Sequence, residues 1–215
     1  TRMVLKTKYR GDGSFDKHKA RFVVRGFLQK EGRDFDQTFT PTSALSTFRL
    51  LSTEAAYNGW SMKHLDVKNA FCQAKVDVDN LFITTEPQIT FHDPNPGPNR
   101  GLQLHRALYG LKQAPRLWFQ DIKNHLVRGG YTQGRWEPTC FTKTQNGQRT
   151  YVLIYVDDII ITGPNNSHIE EVRKWIESKY KIGSYEDIES YLGMFVSTSS
   201  TGFRYSMESK INNLV

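Results

Sequence analysis

The chain has 215 residues, 38% of them hydrophobic and 13% aromatic, a globular composition long enough for one fairly large domain or two small lobes and unlike that of a disordered chain. Its formal net charge of +7 is spread along the chain, so a partner of opposite charge is expected, and nucleic acid is the commonest large one. The two cysteines, with no CxxC pair, fit a reducing compartment and argue against a thiolate zinc site. The most apolar window, "YVLIYVDDIIIT", is broken by an Asp pair well short of the roughly 20 residues a membrane span needs. The start has no signal-peptide pattern. Because the chain begins without Met and ends in "SKINNLV", a piece of something longer is expected.

In chain order, "MVLKTKYRGDGSFDKHKARFVVRGFLQ" reads as two strands around the turn signal Gly11-Asp12-Gly13. Lys6, Lys8, Arg10, Lys17, Lys19, Arg21 and Arg25 make this hairpin basic. Ser46 is placed to cap a helix through about Tyr57, with Asn58-Gly59 stopping it. "SMKHLDVKNAF" alternates into a strand ending near Asp66. Pro87, Pro94, Pro96 and Pro98, beside Gly97 and Gly101, mark a surface loop. Pro115 suits the first residue of a helix running to Gly129-Gly130. Two strands then end in Asp157-Asp158, followed by a third, "IIIT". In the next helix Ser167 and Glu170 form a capping box, and Ile169, Val172, Ile176 and Tyr180 line the inner face. "YLGMFVS" and "FRYSM" are the last strands. This order predicts an α+β fold, a split βαβ antiparallel sheet with helices on one face.

The Asp pair is the chemical anomaly. An ionised carboxylate is costly to bury without a partner, and two side by side repel each other. A tight hairpin between "YVLIYV" and "IIIT" would carry Asp157 and Asp158 at its tip, and Asp66 ends another strand in the same style. If those strands are neighbours, Asp66 and Asp157 converge. Three carboxylates at a sheet end are hard oxygen ligands of the kind Mg²⁺ takes. Two such ions roughly 3.5–4 Å apart would clamp the attacking and leaving oxygens of an in-line phosphoryl displacement. A lone Asp-Asp is more often a solvated turn; the apolar runs on both sides speak against that here.

The stretches "HKARFVVRGF", "FRLL", "LDVKNAF", "RALYGLKQAPRLWF", "CFTK", "YVLIYVDDIIITG" and "YLGMFVS", in this order and spacing, resemble the reverse transcriptase of Ty1/copia-type retrotransposons. The resemblance covers nearly the whole chain. It implies a right-hand polymerase whose palm is a ferredoxin-like sheet: fingers over 1–60, palm motif A over 61–74, a connection with the Pro-rich loop over 75–113, palm with the YVDD hairpin over 114–205, and the start of a truncated thumb over 206–215. It also implies two Mg²⁺ ions, with Mn²⁺ as the alternative. Asp66 and Asp157 would bridge them, Asp158 would act with less direct coordination, and the Val67 carbonyl would be a further ligand.

By the same resemblance, Lys19 and Arg21 would meet the triphosphate, although charges alternating on a strand also suit a solvated face. Phe71 would exclude a 2′-hydroxyl; a core ring at a helix start is its competing explanation. Tyr109 and Gly110 would lie beside the nucleotide sugar and templating base, Lys112 and Gln113 near the template. Tyr155 would pack by the primer end and Leu192-Gly193 would steady it, though a buried strand with a glycine equally suits packing. The six histidines are scattered without ligand spacing and none is assigned a catalytic role. "FCQA" departs from the family in having Ala74 where many members have Gly, a strain of roughly 1 kcal/mol if that position has a positive φ. The implied partners are an RNA or DNA template with annealed primer, deoxynucleoside triphosphates, and RNase H and integrase domains outside this chain; no membrane is implied. The implied location is in cytoplasmic virus-like particles. Two rivals are a catalytically inactive nucleic-acid-binding remnant and a metal-dependent nuclease. The nuclease leaves "LYGLKQAPR" and the basic hairpin without explanation.

Overall fold

A computed structural model describes residues 1–9, 14–78, 81–84, 101–199, 202–207 and 211, so the turn at Gly11-Asp12-Gly13, Arg10 and the proline-rich loop lie outside the described residues. The chain is mixed α/β and forms two units, Thr1–Thr40 with Phe71–Gln120, and Pro41–Ala70 with Asp121–Val215.

In the first unit, β1 (Arg2–Tyr9) and β2 (Phe15–Val23) pair antiparallel. Lys6 faces Lys19, Lys8 faces Lys17, and Val4 faces Arg21. Because side chains alternate with period two, Arg2, Lys6, Lys8, Lys17, Lys19 and Arg21 share one face. Like charges directly opposite one another weaken a ladder by roughly 0.2–1 kcal/mol each, so this face is not arranged for the hairpin's own stability. After β2, the Val24 amide donates to the Tyr109 carbonyl at 2.8 Å. Gly110, at φ 92°, lies so close that a Cβ there would run into the Val24 carbonyl oxygen. Ala74 is fully buried and is not among the residues with positive φ, so the strain considered for it does not arise.

Next come α1 (Leu45–Asn58), β3 (Ser61–Val67), the short pair β4 (Phe82–Thr84) and β5 (Gly101–Gln103), α2 (Ala114–Arg128) and β6 (Thr132–Gln133). They are followed by β7 (Cys140–Gln145), β8 (Gln148–Tyr155), β9 (Asp158–Gly163), α3 (Asn166–Glu177), β10 (Ile182–Asp187), β11 (Ser190–Tyr191), β12 (Met194–Ser199) and β13 (Gly202–Ser206). Six strands of the second unit form one sheet in the order β10-β3-β9-β8-β7-β6, every neighbouring pair antiparallel.

Helices cover both faces of this sheet, which corrects the expectation of helices on one face. Met62, Leu153 and Ile160 point one way and pack with Phe48, Leu51 and Ala55 of α1 and with Tyr191, Met194 and Val196. Leu65, Val67, Val152, Ile154, Ile159 and Ile161 point the other way and are equally buried. On that side Tyr185, paired with Leu65, donates its hydroxyl hydrogen to Glu170 of α3, whose Ile169, Val172 and Ile176 are buried as expected. A strand covered on both faces reads as a continuous apolar run, which explains "IIIT". Each such aliphatic side chain contributes roughly 1.5–3 kcal/mol on burial.

The helix stops agree with expectation and the caps do not. Gly59, at φ 65°, ends α1, and α2 ends at Gly129-Gly130 with Pro115 in its first turn. The α1 cap position is Ala44, and Ser46 lies inside the helix. The missing cap comes from Glu137, whose Oε2 accepts from the Ala44 amide at 3.1 Å and the Thr47 hydroxyl at 3.0 Å. For α3 the capping side chain is Asn165, whose Oδ1 accepts from the Ser167 amide at 2.9 Å, while Glu170 is engaged by Arg173 and Tyr185.

Candidate active site

Strand register places the chemistry. Ser184 faces Asp66, Asp66 faces Asp158, and Asp158 faces Tyr155, so these four residues form a row across β10, β3, β9 and β8 on the α1 face. The neighbouring row is Glu186, His64, Ile160 and Leu153. Val156 and Asp157 make the two-residue turn between β8 and β9, and the Val67 amide donates to the Asp157 carbonyl at 2.9 Å. Two apolar strands thus run into carboxylates because both strands end there. Asp158 is the residue directly opposite Asp66, and Asp157 meets the end of β3 through its backbone. Val156 sits at φ 53°, a conformation that costs an L-residue roughly 1–2 kcal/mol, and β-branched residues adopt it rarely.

Two residues of this site escape a reading of the sequence. His64 Nε2 lies 2.8 Å from Asp158 Oδ1, and because a carboxylate accepts, the imidazole is the donor. Histidine spacing along the chain carries no sign of this hydrogen bond, which spans 94 positions. Gly183 occupies the irregularity of β10 between Ile182 and Ser184, and a Cβ there would overlap Asp66 Oδ2. Its only trace in the sequence is a glycine inside the strand pattern "KIGSYED", the usual sign of a bulge or a close approach.

Near the far end of the row, the Tyr155 ring meets Tyr191 edge-on with centroids 6.4 Å apart. Tyr191 shares a hydrogen bond of 2.9 Å with Ser43, and burial pushes its hydroxyl up to about 12. Leu192 and Gly193, at φ 50° and 76°, form the turn between β11 and β12, with Leu192 packed against the core.

In the first unit, Arg21 lies over the Tyr109 ring at 5.5 Å, and the Phe71 and Tyr109 rings stand 5.1 Å apart. Three of the residues expected at the nucleotide are therefore together, and Lys19 shares the hairpin face of Arg21. The Cys72 thiol beside them is pushed up by burial, which makes it a poor nucleophile. Lys112 is exposed, with its ammonium over the Phe35 ring at 4.9 Å and 3.3 Å from the Gln29 carbonyl. Gln113 corrects an expectation. It is 0% exposed, accepts from the Gln29 amide at 3.0 Å and donates to the Asp34 carbonyl at 2.9 Å, so it braces the loop from behind and has no surface for a template strand.

A family model described as reverse transcriptase (RNA-dependent DNA polymerase) matches residues 1–215. The chain belongs to this family. It is 31% identical over 214 residues to the retrovirus-related Pol polyprotein from transposon RE1 of Arabidopsis thaliana, covering 100% of this chain and 14% of that protein. The corresponding polyprotein from transposon RE2 of the same plant is 30% identical over 193 residues, covering 90% of this chain and 13% of that protein. That from transposon TNT 1-94 of Nicotiana tabacum is 29% identical over 192 residues, covering 89% and 14%. The chain is therefore a reverse transcriptase domain of a copia-type Pol polyprotein, and it spans about one seventh of the length of these relatives. No helix among the described residues of this reverse transcriptase domain is long and apolar enough to cross a membrane.

Whether the reverse transcriptase domain suits a divalent cation is a question of donor chemistry. Among its described residues no group of three or more His, Cys, Asp or Glu side chains is gathered so as to hold a metal unaided. Mg²⁺ binds through one or two carboxylates, keeps several waters, and takes substrate phosphates as its other ligands. Asp66 and Asp158, opposite each other, and Asp157 in the adjoining turn carry carboxylates, the donor type such an ion takes.

Proposed function

We propose that this chain is the fingers and palm of an RNA-directed DNA polymerase that joins a deoxynucleotide to a primer 3′-hydroxyl. The hydroxyl oxygen attacks the α-phosphorus as its proton passes to water, the bond to pyrophosphate breaks, and pyrophosphate leaves. The observation that carries this reading is the row in which Asp66 and Asp158 face each other with Asp157 in the adjoining turn. Two Mg²⁺ ions, or Mn²⁺, would supply charge neutralisation at the attacking and leaving oxygens. Asp66, Asp157 and the Val67 carbonyl would hold them, and Asp158 would act less directly because one of its oxygens is engaged by His64.

The remaining roles are those the family resemblance implies, supported by where each residue lies within its own unit. Arg21 and Lys19 would take the triphosphate, supported by the cationic face of the hairpin. Phe71 against Tyr109 would present a ring wall to the sugar and so select deoxynucleotides. Gly110 would allow close backbone approach beside Tyr109, and Lys112 would contact the template. Tyr155 with the Leu192-Gly193 turn would support the primer terminus. Transfer of this type needs little covalent help from protein, so the acceleration would come mainly from positioning and electrostatics.

Primer extension on an annealed RNA template with Mg²⁺ and the four deoxynucleoside triphosphates tests the reading. The parent chain extends the primer, and Asp157→Asn, which keeps the shape and removes the charge, does not. Salt-sensitive duplex binding without any extension, even in a longer chain carrying a thumb, would overturn the enzyme reading in favour of an inactive remnant.

A further inference from the structure

We propose that His64 is a positioning residue that holds the second carboxylate of the Asp pair, an inference resting on the polymerase reading of the site. The imidazole and the carboxylate are diagonal neighbours: His64 faces Ile160, and Asp158 lies two residues before Ile160 on the same strand face. His64 is also two residues before Asp66 and shares its face, so one short strand carries both a metal-ligand candidate and the group that orients its neighbour. The His64 side chain is 13% exposed and that of Asp158 35% exposed, so the donor is sheltered while the carboxylate still reaches the open side of the row.

The hydrogen bond has a chemical consequence. Asp157 and Asp158 are adjacent in the chain, and two neighbouring carboxylates free to rotate could each take a cation in several arrangements. With Oδ1 of Asp158 accepting from His64 Nε2, Oδ2 is the oxygen left fully open to a cation, and the hydrogen bond favours one orientation of the carboxylate. Hydrogen-bonded partners of ligating carboxylates typically matter about 10- to 100-fold in metal affinity or activity. The groups facing His64 are Glu186 across the ladder on β10, Ile160 on β9, and Asp66 and Asp158 of the neighbouring row, while Lys63, the other cation of β3, alternates to the opposite face and pairs with Asp187 at 2.8 Å.

The test compares the 215-residue chain with His64→Ala and His64→Gln, the latter keeping a side-chain N–H donor. Mn²⁺ binding is titrated by electron paramagnetic resonance, primer extension is resolved into kcat and KM for the deoxynucleotide, and melting temperature is recorded. His64→Ala is expected to shift Mn²⁺ affinity and to lower kcat by about 10-fold or more, with KM within about twofold, while His64→Gln recovers most of both. A parent that binds no Mn²⁺ overturns the inference, as does a titration that His64→Ala leaves unchanged. Equal impairment of both variants with a matching loss of melting temperature overturns it too, because that is a merely structural role. Failure to extend primers even in a longer chain carrying a thumb, while the Mn²⁺ titration still separates His64→Ala from His64→Gln, sinks the polymerase reading and leaves the positioning role standing.

Discussion

Gly183 shows how much of the site turns on single side chains. It is not among the glycines with positive φ, so its backbone accepts any residue, and β10 is an edge strand where an added methyl disturbs little packing. The objection to a side chain is Asp66 itself. With Asp66 in the catalytic role proposed above, Gly183→Ala is therefore expected to leave the chain folded while lowering kcat by about 100-fold, the loss that a displacement of about 1 Å can produce; a melting curve beside a primer-extension assay separates the two effects. Gln113 gives the opposite pattern. Gln113→Ala removes the buried donor to the Asp34 carbonyl and the acceptor of the Gln29 amide behind a largely exposed loop, and is expected to cost about 2 kcal/mol in urea unfolding with template affinity unchanged in the folded fraction. Asp66, Asp157 and Asp158 are legible in the sequence because carboxylates inside apolar strands demand an explanation. His64 and Gly183 are not, because their partners are distant along the chain and come within reach only once strand register is set.

At the scale of elements, α1 owes its N-terminus to a residue 93 positions away. Glu137 accepts from Ala44, Thr47 and Thr139; burial alone would raise its pKa, but these hydrogen bonds together hold it below the usual carboxylate value. A depressed folded-state pKa means that the stabilisation is present above the unfolded pKa, about 4.3, and is lost as pH falls through the folded value. Glu137→Ala is expected to cost about 1–2 kcal/mol at pH 7 and to flatten the acid side of the stability profile, checked by urea melts from pH 7 down to pH 3. The existence of α1, α2 and α3 and their stops at Gly59 and Gly129 follow from local rules. The caps of α1 and α3 do not: the α3 cap is Asn165, two residues before the expected Ser167, and Glu137 acts on α1 through tertiary structure.

At the scale of the whole molecule, the charge of +7 is organised as well as large. Six cations share one face of the β1–β2 hairpin, with Lys6 opposite Lys19 and Lys8 opposite Lys17. Replacing Lys6 and Lys8 together by Gln is expected to leave stability unchanged or about 0.2–1 kcal/mol higher, since repulsion is relieved. The same change should weaken binding to single-stranded RNA and flatten its dependence on salt, by about 0.7 in the log–log slope for each phosphate no longer neutralised; fluorescence anisotropy across a salt series measures both. The sequence by itself determined the family, the three carboxylates, the basic hairpin and most strands and helices, because these rest on motif order, local periodicity and residue type. Only the tertiary structure decided that both faces of the main sheet are covered, that Gln113 is a buried brace, that Asp158 is the residue opposite Asp66, and that His64 and Gly183 touch the two carboxylates of that row. Those outcomes depend on register and packing between segments tens of residues apart, where a shift of one residue would turn every side chain to the other face.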